Sequence, residues 1–321
     1  MSKIFGYIAI LALVLFSFGA CSYNKIWSMG MVYNDADKYT AGSLTYNSSD
    51  INRVEVHWVS GSVDIKQGEG ELHVSEANEN LSEDEQMHWM ISDGTLYIQF
   101  CKSGHFFNSF EKKELHLEIP RGVQIDVETT SADIFADELD VKKAGINTVS
   151  GKARFGNFSG EEIGFNATSG DINVDLIKCA ALGVNTVSGN ASFGSFSGEE
   201  LGFNTTSGNL NADSLECASL GVNTVSGDAK IGGMKADRAD FSSTSGNVIL
   251  SLLKPAEIKV NTTSGKTHLS LNDAGAKIHL SGVSAKFVSK LEYTKNGDEY
   301  TIGSGETEVR VSSTSGDVYV E

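Results

Sequence analysis

The dipeptide Ser-Gly returns along this chain on a fixed ruler. Its glycine stands at Gly151, Gly170, Gly189, Gly208, Gly227, Gly246 and Gly265, nineteen residues apart each time, and Ala132 holds the same slot one period earlier. A strict period of this length admits few folds, because one repeat cannot bury its own apolar face and must stack on its neighbours as a turn of a solenoid. The blocks 146–183, 184–221 and 222–259 also align without gaps, so two nineteen-residue turns make a packing unit of thirty-eight.

Counting from each turn glycine exposes the core. Two places after it stand Ile134, Ala153, Ile172, Ala191, Leu210, Ala229 and Val248, and four places after stand Phe155, Val174, Phe193, Ala212, Ile231, Leu250 and Leu269. This alternation puts both columns on the inner face of a strand. Further apolar columns run through Phe158, Ile177, Phe196 and Leu215, through Ile163, Leu182, Leu201 and Leu220, and through Ile146, Phe165, Val184, Phe203, Val222 and Phe241. Bulk shifts between columns from rung to rung, since Ala153 accompanies Phe155 where Ile172 accompanies Val174. The reading is an all-β single-stranded parallel β-helix of about nineteen residues per rung, right-handed by the general crossover preference.

The turn residues have their own logic. Glycine is expected there for its access to positive φ. The serines before it can bond turn backbone. Asn147, Asn166, Asn185, Asn204, Asn223 and Asn261 form a column, broken by Ser242, that suits an amide ladder facing either inward or into a corner. Residues just after the glycine, among them Lys152, Asp171, Asn190, Asn209 and Asp228, read as a solvated face, and no row of surface aromatics is visible.

The flanks are less regular. Residues 1–20 carry an apolar run too short to span a bilayer comfortably and read as a signal peptide. Phe18-Gly19-Ala20-Cys21 resembles a lipobox, which makes Cys21 the expected lipidation site. Residues 21–45 then read as lipidated N-terminus and tether, 46–126 as irregular rungs and cap, 127–269 as regular rungs, and 270–321 as irregular C-terminal rungs and cap. The fifty-one residues from Gly265 to Gly316 exceed two periods by thirteen, and the surplus reads as a hairpin or projecting loop that helps to cover the open end.

The formal charge of −17 argues against nucleic acid as a partner. Cys179 and Cys217, two rungs apart, are too distant to bridge. No HExxH, GxSxG, Walker or dinucleotide pattern appears. No catalytic residue, metal ligand or cofactor is therefore assigned. The paired carboxylates at Glu161-Glu162 and Glu199-Glu200 read as acidic corners.

The repeated T-[TV]-S-G-[DNK] motif, with Tyr39-Thr40-Ala41-Gly42-Ser43 and Val56-His57-Trp58-Val59-Ser60-Gly61 before it, resembles the bacterial DUF4097 family of unknown function, described as putative adhesins with β-strand repeats. The resemblance implies a right-handed parallel β-helix on an envelope lipoprotein and supplies no catalytic residues. The expected role is non-enzymatic binding or adhesion, in a protein lipid-anchored in the cell envelope, at the outer membrane or cell surface, with a glycan or protein ligand. The alternative is a structural or signalling envelope lipoprotein with an internal partner.

Overall fold

The computed structural model describes residues 31–78, 80–106, 112–254, 256–272 and 275–321. The expected leader and Cys21 lie outside them. Regular structure among these residues is β-strand, apart from short 3-10 turns at Ala36–Lys38 and Ser48–Asp50. The chain divides into two compact units, Met1–Asn173 and Val174–Glu321.

In the first unit, strands stack in parallel at the nineteen-residue register. Lys143–Thr148 lies between Gln124–Thr129 and the second half of Ala153–Ala167, so that Val127, Ile146 and Phe165 stand in line. Asp133–Asp140 lies against the first half of Ala153–Ala167, with Ile134 opposite Ala153. Phe155, Phe158 and Phe165 fill the interior with ring centroids 4.7 to 5.9 Å apart. The compensation of volumes therefore has a physical basis: three large rings fit because Ala153 beside them is small.

Rung order departs from chain order at the beginning. The rung of Arg53–Trp58 and Gly61–Gly68 is sandwiched between the later rung of Thr95–Gln99 and Lys113–Pro120 and the still later rung of Gln124–Thr129 and Asp133–Asp140. The outermost strands are then covered by antiparallel ones. Glu71–Glu76 covers Lys113–Pro120, and His88–Ser92 covers Thr95–Gln99. Such cover removes the open edge that would recruit another chain.

A buried lysine ties this cap together. Lys113 and Glu76 form an ion pair at 2.7 Å, with side chains 2% and 6% exposed. The Lys113 ammonium also donates to the carbonyls of Glu85 and Phe100 and sits beside the rings of Trp58 and Phe100. The cation is thus satisfied by a carboxylate, two carbonyls and two π faces, which is what makes so deep a charge tolerable.

In the second unit, Ala191–Thr205, Leu210–Thr224 and Ala229–Ser243 are fifteen-residue strands stacked in parallel. Val248–Leu252 with Glu257–Thr262 continues the stack, and Thr267–Ser270 lies on Val248–Leu252. The end again breaks chain order. Thr307–Ser313 pairs directly with Glu257–Thr262, and Val318–Val320 with Thr267–Ser270. Ala276–Gly282 and Phe287–Ser289, though earlier in the chain, form the outermost rung. Of the surplus residues, Glu299–Ile302 and Thr294–Asn296 form an antiparallel pair against Ala276–Gly282, while 291–293 form no strand.

Candidate functional site

The turn defines what is available for binding, because it uses most of its polar groups internally. Gly151, Gly170, Gly208, Gly227, Gly246 and Gly265 are not in the positive-φ region, in contrast to Gly61 at φ +97°, so the expected conformational reason for glycine is wrong. The reason is proximity. A Cβ placed on Gly227 would stand 1.8 Å from the carbonyl oxygen of Gly208, and the same approach recurs between Gly246 and Gly227 and between Gly265 and Gly246. Adjacent rungs touch here through bare backbone.

A threonine column, which the sequence reading missed, completes the turn. Thr205, Thr224 and Thr262, with Ser243, each accept a hydrogen bond from the glycine N–H three residues on, at 2.7 to 2.8 Å. In the first unit Thr129 Oγ1 donates to the carbonyl of Ala132. The inward alternation of these residues was visible, but their hydroxyls masked them as polar. Ser226, Ser245 and Ser264 donate instead to main-chain carbonyls one rung below.

The asparagines form ladders within each unit. Asn166 donates to Asn147 at 2.7 Å in the first; Asn204 donates to Asn185 and Asn223 to Asn204 in the second. Their strand position is opposite in parity to buried Phe203 and Thr205, yet Asn185 and Asn204 are only 6% and 7% exposed. Stacked neighbours shield each amide above and below. Asn261 faces Ser242 and Ser312, where the ladder has no amide to continue it.

The residues just after the glycine are not a free solvated face. Asn190 Oδ1 accepts from the main chain and side chain of Asn209, Asn209 Oδ1 from the Asp228 N–H, Asp228 Oδ1 from Asn247, and Asn247 Oδ1 from the Lys266 N–H. These side chains are half-buried braces between rungs. Cys179 and Cys217 are free and buried, and burial pushes both thiols up to about 12, which makes them inert fillers.

What remains for a partner is the column two residues further round. Lys230, Ile249, His268, Tyr319 and Val288 occupy consecutive rungs in one row of the second unit. The rings of His268 and Tyr319 stack at 4.6 Å with an interplanar angle of 9°. Ile249 and Val288 are 37% and 44% exposed. On one flank stand Asn247, Lys266, Asp317 and Lys286. The Lys266 ammonium lies 5.8 Å from the Tyr319 ring centroid, and the Tyr319 hydroxyl donates to Asp317. On the other flank, Ser270 and Lys290 both engage Glu321. An apolar and aromatic row with polar margins is therefore present where none was expected. It exists because the last segment of the chain inserts between earlier rungs and brings Tyr319 onto His268.

The sequence matches the family described as Toastrack DUF4097 over residues 51–202 and 177–321. The chain belongs to the Toastrack family. Among solved structures it is similar to a putative lipid binding protein from Parabacteroides distasonis, at 14% identity over 88% of this chain and 97% of that one, with a TM-score of 0.49. A putative adhesin from the same species is 15% identical over 90% and 100% of the two chains, with a TM-score of 0.42. A putative adhesin from Bacteroides fragilis is 14% identical over 87% and 96%, with a TM-score of 0.40. No match was found among curated proteins.

In this Toastrack chain the turn glycines such as Gly227, the asparagine column as far as Asn223, and serines such as Ser226 serve contacts between rungs. Among the described residues no three His, Cys, Asp or Glu side chains are grouped to hold a metal ion, and no helix is long and apolar enough to cross a membrane.

Proposed function

We propose that this Toastrack protein is a non-enzymatic binding protein of the cell surface, attached to the envelope through lipid on Cys21. Its contact face is the Ile249–His268–Tyr319–Val288 row. The observation that carries this reading is the row itself: exposed apolar and aromatic groups lie along the stacking axis between polar columns, the composition of a binding patch with a polar rim. A row with one side chain every ~4.8 Å suits an extended ligand such as a glycan or a protein segment. The formal charge of −17 disfavours nucleic acid.

The test is binding of intact cells to glycan and host-protein arrays, before and after protease shaving. Cells carrying Ile249→Lys with Tyr319→Ala should lose the array signal while displaying the protein at the normal level. A domain that resists shaving on intact cells, or variants that bind as the parent does, would defeat the proposal.

A further inference from the structure

The outermost rung of the second unit is finished on one side and open on the other. Its Ala276–Gly282 strand is covered by Glu299–Ile302. Phe287–Ser289 pairs with Val318–Val320 and with no second described strand. The Lys286 carbonyl and the Lys290 N–H both point to Val318–Val320, so by strand alternation the main-chain groups of Phe287 and Ser289 face away from it. Exposed apolar groups are frequent in the segment that carries this edge. Val283 is 88% exposed, Val288 44%, Leu291 38% and Tyr293 46%. The rings of Phe287, Tyr293 and Tyr300 pack together at its centre, with centroids 4.0 to 5.7 Å apart.

We propose that this rung is a self-association surface, on which two copies of the chain pair their Phe287–Ser289 strands antiparallel about a two-fold axis. Two features favour a second copy as the occupant. Among the described residues, Ala276–Gly282, Lys113–Pro120 and Thr95–Gln99, the other strands of the outermost rungs, are each covered by an antiparallel strand, and a two-fold axis delivers that geometry from an identical edge. The charge also permits it. Within a chain of formal charge −17, residues 275–304 carry four lysines against three carboxylates, so this end meets its own copy without the repulsion expected elsewhere. The surface is distinct from the proposed ligand row except at Val288, which lies on both.

The experiment is sedimentation equilibrium of the full-length protein in density-matched detergent. A small interface predicts weak, concentration-dependent association, with the mass rising toward two copies as the protein concentration is raised. Ser289→Pro removes an N–H on the open edge, and Leu291→Glu and Val283→Glu place charge on the patch. Each should weaken association at least tenfold with an unchanged circular dichroism melt. Val283→Glu keeps the test decisive if the others disturb the fold, because its side chain is almost fully exposed. Ile249→Lys should leave association unchanged, which separates this surface from the ligand row. A wild-type protein that stays monomeric throughout, or that binds phosphatidylcholine vesicles through this patch instead of a second copy, would overturn the proposal. So would a Val283→Glu variant that associates as tightly as the parent.

Discussion

Replacing Gly227 with alanine should damage the second unit far more than the same change at Gly202. At Gly227 the added carbon would lie 1.8 Å from the Gly208 carbonyl oxygen and 2.8 Å from its carbon, against an ordinary carbon–oxygen approach of about 3.3 Å. Neither atom belongs to a flexible side chain, so the rungs themselves must part. Overpacking costs about 1–3 kcal/mol. The added carbon would also lie 3.0 Å from Thr224 Oγ1 and crowd the Gly227 N–H bond to that oxygen, for about 1–3 kcal/mol more if the donor is left unpaired. At Gly202 a Cβ would meet nothing within 4 Å, and alanine there should stabilise by about 0.4–1 kcal/mol by restricting the unfolded chain. The assay is native-state hydrogen exchange of the amides in Leu210–Thr224 and Ala229–Ser243, because rungs depend mainly on their neighbours and stability is local. A difference of about 4 kcal/mol corresponds to roughly a thousandfold change in opening. If the two variants exchange within about 1 kcal/mol of each other, proximity is not what requires glycine in the turn.

Other perturbations address other contacts. Lys113→Met should cost about 3–5 kcal/mol by stranding Glu76, and adding Glu76→Gln should restore part of the loss in urea melts of the double variant. Thr205→Val should cost about 1–3 kcal/mol, read as faster exchange of the Gly208 amide that it now satisfies. Cys179 and Cys217 should resist iodoacetamide at pH 8 until the protein unfolds; rapid labelling of native protein would contradict their burial. The hydrogen bond from His57 holds the Glu128 carboxyl below its ordinary value against the opposing effect of burial. Its stabilising contribution is therefore present above the ordinary glutamate pKa and disappears as pH falls through the lowered one. His57→Ala should move the Glu128 titration upward in a carboxyl NMR titration, and an unmoved curve would exclude the pairing.

The rungs were legible because a period of nineteen residues forces stacking and alternation then selects the buried columns, from Ile146 to Phe241. Alternation of apolar residues was legible in the cap strands too, as at Val54–Trp58 and Leu115–Pro120. Their order was not, since periodicity reports which residues face inward and says nothing about which rung lies on which. Tyr319 thus gave no sign that it would meet His268. Thr205 and Asn209 were hidden differently: a polar side chain that bonds to backbone one rung away has the same composition as one that faces water. The turn glycines were found for a sound geometric reason but explained by the wrong one, because φ and close approach leave the same residue in the sequence.

The continuity of the proposed binding row from His268 to Val288 depends on the final segment lying between Thr267–Ser270 and Phe287–Ser289. Two cysteine pairs test this directly in mildly oxidising buffer. His268→Cys with Tyr319→Cys joins register partners, whose Cα atoms at ~4.8 Å fall within disulfide reach. His268→Cys with Val288→Cys joins residues that both flank Tyr319, about 9.6 Å apart and out of reach. A rapid, stoichiometric intramolecular disulfide is expected in the first variant and free thiols in the second. A disulfide between positions 268 and 288, with none between 268 and 319, would restore chain order to the rungs and dissolve the row.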